Sequence, residues 1–557
     1  MAAAPEDILE EAAEEAGIGA SHDAPPRLNN NPAPPRLNND DAPPSLHETA
    51  PKSPPPRELN RGLITFSIMA ATVMQSIDAT IANVALPKMQ GMLSATQDEI
   101  NWVLTSYIIA AAIMIPLTGW LAGRFGRKKV FLISIAGFAA ASAACGASAT
   151  LGQIVFFRLL QGVSGAALVP LSQAIMFDIN EPKDYARAMA IWGVGVTMGP
   201  ILGPALGGWL TQNYSWRWVF YINVPIGIAA FLGLTASMPE TEPVDRRFDF
   251  FGFTTLSLFL AALQLMLDRG QLKDWFSSPE IITYACLGGI AFYLFIVHTL
   301  TDDRPFVSPA LFADHNFLAS NIFIFLIGVV LFATLALLPP MLQTEMHYPV
   351  LTTGLVTAPR GLGTMLAMIL VGRLSGRADM RAVMTAGLLL TVVSLWMMSD
   401  FDLLMDAGPV VFSGLLQGFG IGLSYVPLST LAFSTLPAHL RNEGTAFFNL
   451  LRNIGAAIGI SVVSFLLARN TQVVHAGMAS HVTPYDLHAA SFAAMHVDPS
   501  SAAGLEKLNA IITRQASMVG YIDDFKLMMV MMIVVIPLVL LLRRPQYAAA
   551  AETAVMD

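Results

Sequence analysis

Fourteen apolar segments dominate the chain, at about 62–86, 101–121, 130–148, 152–175, 187–210, 218–237, 250–268, 281–300, 316–342, 351–375, 382–399, 409–434, 443–467 and 525–542. Most are about 18–25 residues long, the length at which a helix crosses the hydrocarbon core of a bilayer. Composition agrees: 54% of residues are hydrophobic and 13% charged, whereas a soluble domain is about 45–50% apolar and about 25% charged. A soluble fold with so few charges could not cover its own surface. The chain therefore reads as an all-α polytopic membrane protein in contact with the lipid bilayer. A soluble enzyme, a nucleic-acid binder and a secreted disulfide scaffold are excluded. Cys145 and Cys286 both lie in apolar stretches, and no metal-ligand spacing such as C-x-x-C occurs.

The net charge of −9 is concentrated at one end. Residues 1–60 hold eleven acids against Arg27, Arg36, Lys52 and Arg57, together with twelve prolines. A short repeat runs through them, Ala24-Pro-Pro-Arg-Leu-Asn-Asn30 recurring as Ala33-Pro-Pro-Arg-Leu-Asn-Asn39. Such sequence cannot bury enough apolar surface to fold, so 1–60 reads as a disordered, Pro-rich acidic tail. Within it, residues 5–16 suit a brief acidic helix. The basic start and apolar run of a signal peptide are missing.

Lys and Arg in the short loops set the orientation. Arg124, Arg127, Lys128, Lys129, Lys183, Arg187, Arg246, Arg247, Arg304, Arg373, Arg377, Arg381, Arg441, Arg543 and Arg544 follow even-numbered segments or the last one. The short loops after odd-numbered segments carry only Lys88, Arg217, Arg269 and Lys273. Both termini are expected in the cytoplasm, with one long outside segment, about 468–524, joining the last two spans.

Two basic, glycine-rich loops show an internal duplication. Gly119-Trp-Leu-Ala-Gly-Arg-Phe-Gly-Arg-Lys-Lys129 follows the second span, and Gly372-Arg-Leu-Ser-Gly-Arg-Ala-Asp-Met-Arg381 follows the tenth. Parallel halves of six spans, with spans 7 and 8 inserted, place the copies this way. The expected organisation is a first six-helix bundle at 61–240, the inserted spans at 241–310, a second bundle at 311–545 containing the long outside segment, and a cytoplasmic tail at 546–557.

No G-x-x-x-x-G-K-[ST] phosphate loop, zinc-ligand pair or nucleophile elbow is present, which leaves transport driven by an ion gradient, with no cofactor. Such a carrier needs a titratable group within the membrane. Asp268, Glu345, Glu443 and Asp524 read as terminal, and Asp78 alone reads as deep. An intramembrane carboxylate is costly and points to function; a structural aspartate locking two helices is the alternative. Asp78 lies eight residues from the outer end of span 1, about 12 Å at 1.5 Å per residue. Arg158 and Gln161 of span 4 fall about 9 and about 13 Å from the same face, on one helix side by their i, i+3 spacing. The three can meet, with Arg158 holding Asp78 ionised in one state and releasing it for protonation in another. Arg360 and Arg452 have no deep acid in their own half. They read as facing a cavity, snorkelling or bonding to carbonyls at helix breaks such as Pro359, with binding of anionic or polar substrate atoms and a purely structural role as the two alternatives. Lys526 and His298 read as interfacial.

Span 5 carries Gly195, Gly199, Gly203 and Gly207 at four-residue spacing with Pro200 and Pro204 between them. Small residues one turn apart make a stripe for close helix approach, and each proline removes a backbone donor and bends the helix. Gly414, Gly418, Gly422, Gly455 and Gly459 suggest ordinary close packing.

Taken together, the motifs resemble the major facilitator superfamily, and within it the fourteen-span drug:proton antiporter family. Ile77-Asp-Ala-Thr-Ile-Ala-Asn-Val-Ala-Leu-Pro87 resembles its span 1 motif with Asp78 at the acidic position, and Gly119–Lys129 its loop motif. Arg158-Leu-Leu-Gln-Gly162 resembles the span 4 motif, whose arginine is implicated in proton coupling. Gly199-Pro-Ile-Leu-Gly-Pro-Ala-Leu-Gly-Gly208 resembles the antiporter motif. Trp216-Arg-Trp-Val-Phe-Tyr-Ile-Asn-Val-Pro-Ile-Gly227 and Leu267-Asp-Arg-Gly270 fit the same family. Pro170-Leu-Ser-Gln173, Ala358-Pro-Arg-Gly361 and Arg452-Asn-Ile-Gly455 resemble its EmrB-type branch. The likeness runs from about 61 to 545. It departs at Gly123, where the family usually has an acid, and at Gly376 in the second copy. That leaves Arg124 and Arg127, with Gly119 and Gly126, to form a cytoplasmic gate through helix ends and other partners.

The resemblance implies two six-helix bundles plus two central spans, and export of hydrophobic or amphipathic compounds across a bacterial inner membrane against proton entry. For the EmrB type it also implies a periplasmic membrane-fusion adaptor and an outer-membrane channel. Substrate is expected near midplane between the halves, where Gln75, Asn83, Tyr107, Gln173, Gln417, Tyr425 and Asn449, with Arg360 and Arg452, are the candidate lining. A proton symporter or facilitator importing a nutrient, and a non-transporting sensor on the same fold, are the alternatives.

Overall fold

The computed structural model describes residues 60–240, 247–375, 377–481 and 501–543. The tail at 1–59 with its expected acidic helix, Arg246, Gly376, the stretch 482–500, Arg544 and the tail 546–557 lie outside the described residues, as do the side chains of Pro200 and Pro204. Among the described residues there are fourteen helices of membrane-spanning length and hydropathy: α1 (Arg61–Leu93), α2 (Glu99–Phe125), α3 (Arg127–Ala147), α4 (Leu151–Asp178), α5 (Pro182–Asn213), α6 (Trp218–Ser237), α7 (Phe250–Arg269), α8 (Pro279–Thr301), α9 (His315–Glu345), α10 (Thr352–Leu374), α11 (Met380–Met398), α12 (Ala407–Ser434), α13 (Arg441–Ser480) and α14 (Ala502–Leu541).

Local chemistry sets where these helices begin and turn. Thr96 and Glu99 close a reciprocal capping box at the start of α2, satisfying amides that the first turn leaves unpaired. Asp249, Asp314 and Asp406 cap the starts of α7, α9 and α12 with their side chains. Gly126, at φ 86°, makes the sharp reversal from α2 to α3, a backbone region that side chains with a Cβ rarely enter. α4 is interrupted by a turn at Ala166–Ala167.

The helices pack as two groups of six with the same pairing pattern. In the first, α1 lies against α5 and α6, α4 against α2 and α3, and α3 against α6. In the second, α9 lies against α13 and α14, α12 against α10 and α11, and α11 against α14. The groups meet along α2–α13 and α5–α10. α7 and α8 pair with each other, and α7 rests on both α2 and α13. Only 22% of the α8 core window is buried, against 67% for α12, which makes the α7–α8 hairpin a peripheral addition.

Three boundaries differ from the sequence-based expectation. α1 continues to Leu93, so Asp78 lies near the middle of its helix rather than toward one end. The segment at 468–524, expected as a long outside connection, is not a loop where it is described: α13 runs on to Ser480 and α14 begins at Ala502. The extensions pack on each other, a Cβ at Gly520 meeting Leu467 Cδ1 at 3.0 Å and Thr471 Oγ1 at 3.2 Å, with His475 Nε2 at 3.0 Å from Asn509 Oδ1. Glu345 at the end of α9 accepts Arg514 Nε through its carbonyl at 2.7 Å and Ser517 Oγ through its carboxylate at 2.8 Å. Hydropathy stops where polar residues begin, whereas helix geometry continues wherever a neighbouring helix covers one side. For the same reason Asp524 is not terminal. It lies inside α14, 1% exposed, and neither carboxylate oxygen has a hydrogen-bond partner among the described residues.

Candidate functional site

Asp78, Arg158 and Gln161 meet inside the first bundle. Arg158 Nη1 donates to Asp78 Oδ2 at 2.7 Å and to Gln161 Oε1 at 3.0 Å, and Arg158 Nε donates to the Val103 carbonyl of α2 at 3.0 Å. Gln161 Nε2 donates to Asp78 Oδ1 at 2.9 Å. The charged side chains are 0% and 1% exposed. Sequence reasoning misses two members. Asn223 of α6 donates to Asp78 Oδ1 at 2.8 Å and to Ser142 Oγ of α3 at 3.0 Å, and Ser142 donates to the Phe220 carbonyl at 2.8 Å. The guanidinium carbon of Arg158 sits 4.3 Å from the Tyr107 ring centroid and 5.8 Å from that of Phe220. Asn223 stands inside the Trp216–Gly227 motif and so is within reach of sequence reasoning, but nothing in its spacing ties it to α1.

This arrangement fixes the chemistry available at Asp78. Both oxygens accept hydrogen bonds from donors on α4 and α6, and the Arg158 guanidinium lies against Oδ2. Releasing it requires a shift of α4 or α6 relative to α1. Buried groups of this kind leave little room for a half-broken network.

The second bundle contains an uncharged counterpart. Leu159-Leu-Gln-Gly162 of α4 recurs as Leu415-Leu-Gln-Gly418 of α12, a short repeat that gains meaning only from the matching packing. Gln417 Nε2 donates to Thr334 Oγ1 on α9 at 3.2 Å, and Thr334 Oγ1 lies 3.8 Å from Met528 Sδ on α14. On α11, Ser394 donates to the Ser413 carbonyl at 2.7 Å. The same junction of helices is thus closed in the second half by Thr334, Gln417 and Met528, with Gly414 in the place of Arg158.

The glycine stripe of α5 seats α1 beside this cluster. A Cβ at Gly199 would collide with the Ser76 backbone and one at Gly203 with Thr80 Oγ1, while Gly195 faces Met69 and Gly207 faces Ile81. Thr80 Oγ1 lies 3.0 Å from the Gly199 carbonyl. On α13, Gly455 and Gly459 make the equivalent approach to Phe325 and Val329 of α9.

The residues expected to line a substrate site fall into separate pairs. Gln75 Nε2 donates to Tyr107 Oη at 3.2 Å. Asn449 Nδ2 donates to Gln173 Oε1 at 2.8 Å, linking α13 to α4 across the bundles. Arg452 Nη1 donates to Tyr425 Oη at 3.3 Å, and the Tyr425 ring stacks on Trp192 of α5 with centroids 6.2 Å apart. Arg360 Nη2 donates to the Leu331 carbonyl of α9 at 3.1 Å. Asn83 is exposed on α1 and is not joined to these pairs.

At the end of the molecule bearing the basic loops, the bundles are tied by charge. Asp178, the last residue of α4, pairs with Arg127 at the start of α3 and, at 3.3 Å, with Arg441 at the start of α13. Arg441 also lies 5.6 Å from the Tyr185 ring centroid. A Cβ at Gly119 would meet Glu443 Cα at 3.0 Å, so α2 touches α13 backbone to backbone. Gly123 and Arg124 sit at the solvated turn, half-buried and exposed. The ion pairs that join the bundles here are made by Asp178 of α4, a residue that sequence spacing does not relate to Arg127 or Arg441.

Fourteen membrane-length helices in two like-packed bundles, with a charged cluster buried in one of them, define a multi-pass membrane transporter. The chain belongs to the Major Facilitator Superfamily, whose family model matches residues 68–460. It is 37% identical over 430 residues to the multidrug export protein EmrB of Escherichia coli K12, covering 77% of this chain and 84% of that protein. It is likewise 37% identical over 473 residues to the fatty acid resistance protein FarB of Neisseria gonorrhoeae, covering 84% and 93%. Among solved structures, the proton:xylose symporter XylE shares the fold with a TM-score of 0.54 at 13% identity, over 85% of this chain and 95% of that one. The human organic anion transporter MFSD10 does so with a TM-score of 0.52 at 17% identity, over 85% and 98%.

Proposed function

We propose that this chain is a proton-coupled antiporter that exports hydrophobic or amphipathic drugs by alternating access, both termini lying in the cytoplasm of a bacterium and the spans in its inner membrane. The supporting observation is the contrast between the two bundles. One junction is closed by Thr334, Gln417 and Met528 without charge, so the ion pair Asp78–Arg158 at the matching junction is not needed to hold helices together. Its desolvation cost is understandable if the carboxyl takes and gives up a proton in each cycle. In the state described, Arg158, Gln161 and Asn223 favour the carboxylate; movement of α4 or α6 against α1 withdraws them and favours protonation. Export is supported by the names of the relatives, multidrug export proteins among them.

The proton is the energy source, and no cofactor enters the scheme. The relatives also suggest an assembly with a periplasmic membrane-fusion adaptor and an outer-membrane channel, for which the paired extensions of α13 and α14 offer a rigid projection. The deciding experiment is dye and drug efflux in proteoliposomes under an imposed pH gradient, wild type beside Asp78→Asn. Uphill efflux driven by the gradient, lost in the variant, supports the reading. Uptake with the proton identifies an importer, and absence of any counterflow identifies a sensor.

A further inference from the structure

The side chains that hydrogen-bond to Asp78 are all donors. Its oxygens accept Arg158 Nη1 at 2.7 Å, Gln161 Nε2 at 2.9 Å and Asn223 Nδ2 at 2.8 Å, and all four side chains are buried. Such a set satisfies a carboxylate. It does not satisfy a carboxylic acid, whose O–H needs an acceptor. Among the described residues of this cluster, one buried atom is left without a hydrogen-bond partner, and it is an acceptor: Asn223 Oδ1.

The geometry narrows where a proton can go. On Oδ2 it would face the Arg158 guanidinium, which has no acceptor to offer. On Oδ1 it faces the amides of Gln161 and Asn223, and an amide turned by half a turn presents its oxygen where its nitrogen stood with almost no change of shape. Gln161 is held against that turn. Its Oε1 accepts Arg158 Nη1 at 3.0 Å and lies 3.8 Å from Cys145 Sγ, so turning would set an NH₂ group against a cation. No such bond locks the oxygen of Asn223. Its Nδ2 donates to Ser142 Oγ at 3.0 Å, while that hydroxyl donates to the Phe220 carbonyl at 2.8 Å. A hydroxyl hydrogen rotates to suit its neighbours, so Ser142 can donate to the amide instead.

We propose that Asn223 is a positioning residue that turns with the protonation of Asp78: its amide donates to the carboxylate and, turned over, accepts from the acid at Oδ1 and from Ser142. Only an O–H bond forms and breaks, the proton coming from water and returning to it, as the proton-coupled reading on which this rests requires. The other titratable side chains that act on Asp78 are Arg158 from α4, Tyr107 from α2 and Cys145 from α3. α5 meets α1 beside it with Gly199 and Gly203. Because Asn223 serves both forms, α6 keeps its bond to α1 throughout, and the helix released on protonation is α4.

The test is infrared difference spectroscopy between alkaline and acid pH on the full-length protein in lipid vesicles, with asparagine labelled by carbon-13 at the side-chain carbonyl. Wild type should gain a carboxylic-acid band at acid pH. With the same midpoint, a label-sensitive asparagine carbonyl band should move to lower frequency, because that oxygen goes from no hydrogen bond to two. Asp78→Asn should lose both changes. Asn223→Leu should lose the asparagine shift and keep the acid band. Ser142→Ala, which leaves the turned oxygen a single donor, should keep a smaller shift. An asparagine with a purely structural part would show no pH-dependent band. If Asn223→Leu does not fold, labelled wild type beside Asp78→Asn and Ser142→Ala still decides. An acid band tied to Asp78 without an asparagine shift overturns the proposal and leaves the proton-coupled reading standing, as does a shift carried by labelled glutamine instead. Absence of the acid band overturns both.

Discussion

Thr334 occupies in the second bundle the position that Asp78 occupies in the first: each accepts the amide of the glutamine in a Leu-Leu-Gln-Gly sequence on the neighbouring helix, from Gln417 at 3.2 Å and from Gln161 at 2.9 Å. Structurally the two junctions are equivalent; electrically they are not. Substitutions at the charged junction should therefore behave unlike those at the neutral one.

Asp78→Asn leaves Arg158 buried without its counter-ion, and removing one partner of a buried pair costs about 3–5 kcal/mol. Removing both should cost less. The double variant Asp78→Asn/Arg158→Gln is expected to melt at a higher temperature than Asp78→Asn alone, while neither supports gradient-driven transport. A double variant no more stable than the single one would contradict the pairing as a mutual dependence.

Tyr107 lays its ring on Arg158 and holds Gln75 through its hydroxyl. Tyr107→Phe keeps the cation–π contact and should remain within about 1 kcal/mol of wild type. Tyr107→Leu removes it, a loss of about 2 kcal/mol at a desolvated site. Thermal unfolding in one detergent, compared across the pair, measures the difference.

The bundles touch near the basic end where a Cβ at Gly372 would stand 3.0 Å from Ala190 Cβ, close to the ~3.5–4.5 Å separation of bridged cysteines. In a Cys286→Ala background, Ala190→Cys/Gly372→Cys should cross-link on oxidation and stop turnover, with reductant restoring it. Continued transport in fully cross-linked protein would show that α5 and α10 need not part at this point.

Gly199 faces the Ser76 backbone, whereas Gly208 has no neighbour within 4 Å of its Cβ position. Gly199→Ala should separate α1 from α5 and destabilise by about 1–3 kcal/mol, as overpacking does. Gly208→Ala should fall within about 0.5 kcal/mol of wild type. The paired measurement distinguishes close approach from a general intolerance of α5 to larger residues.

Much of this architecture is legible in the amino-acid sequence alone. Membrane-length segments and loop charge give fourteen helices. A lone deep acid, with Arg158 and Gln161 at i, i+3, gives three members of the buried cluster. Asn223 and Ser142 stay hidden because neutral polar residues are common in spans and no spacing relates positions on different helices. The clasp at Asp178 is hidden for the same reason: its partners Arg127 and Arg441 are distant in sequence. Asp524 and the reach of α13 and α14 escape a hydropathy reading because hydropathy records the lipid-facing apolar length, not where a helix stops.

The hairpin of α7 and α8 carries one more consequence. α7 accepts Thr105 of α2 at Asp268 and, 3.2 Å from its Leu267 carbonyl, Ser461 of α13. It is thus tethered to both halves by single hydrogen bonds on adjacent residues. A tilt of one half against the other would stretch one tether unless the hairpin moved with it, so along that flank the strap would ride with whichever half kept its bond.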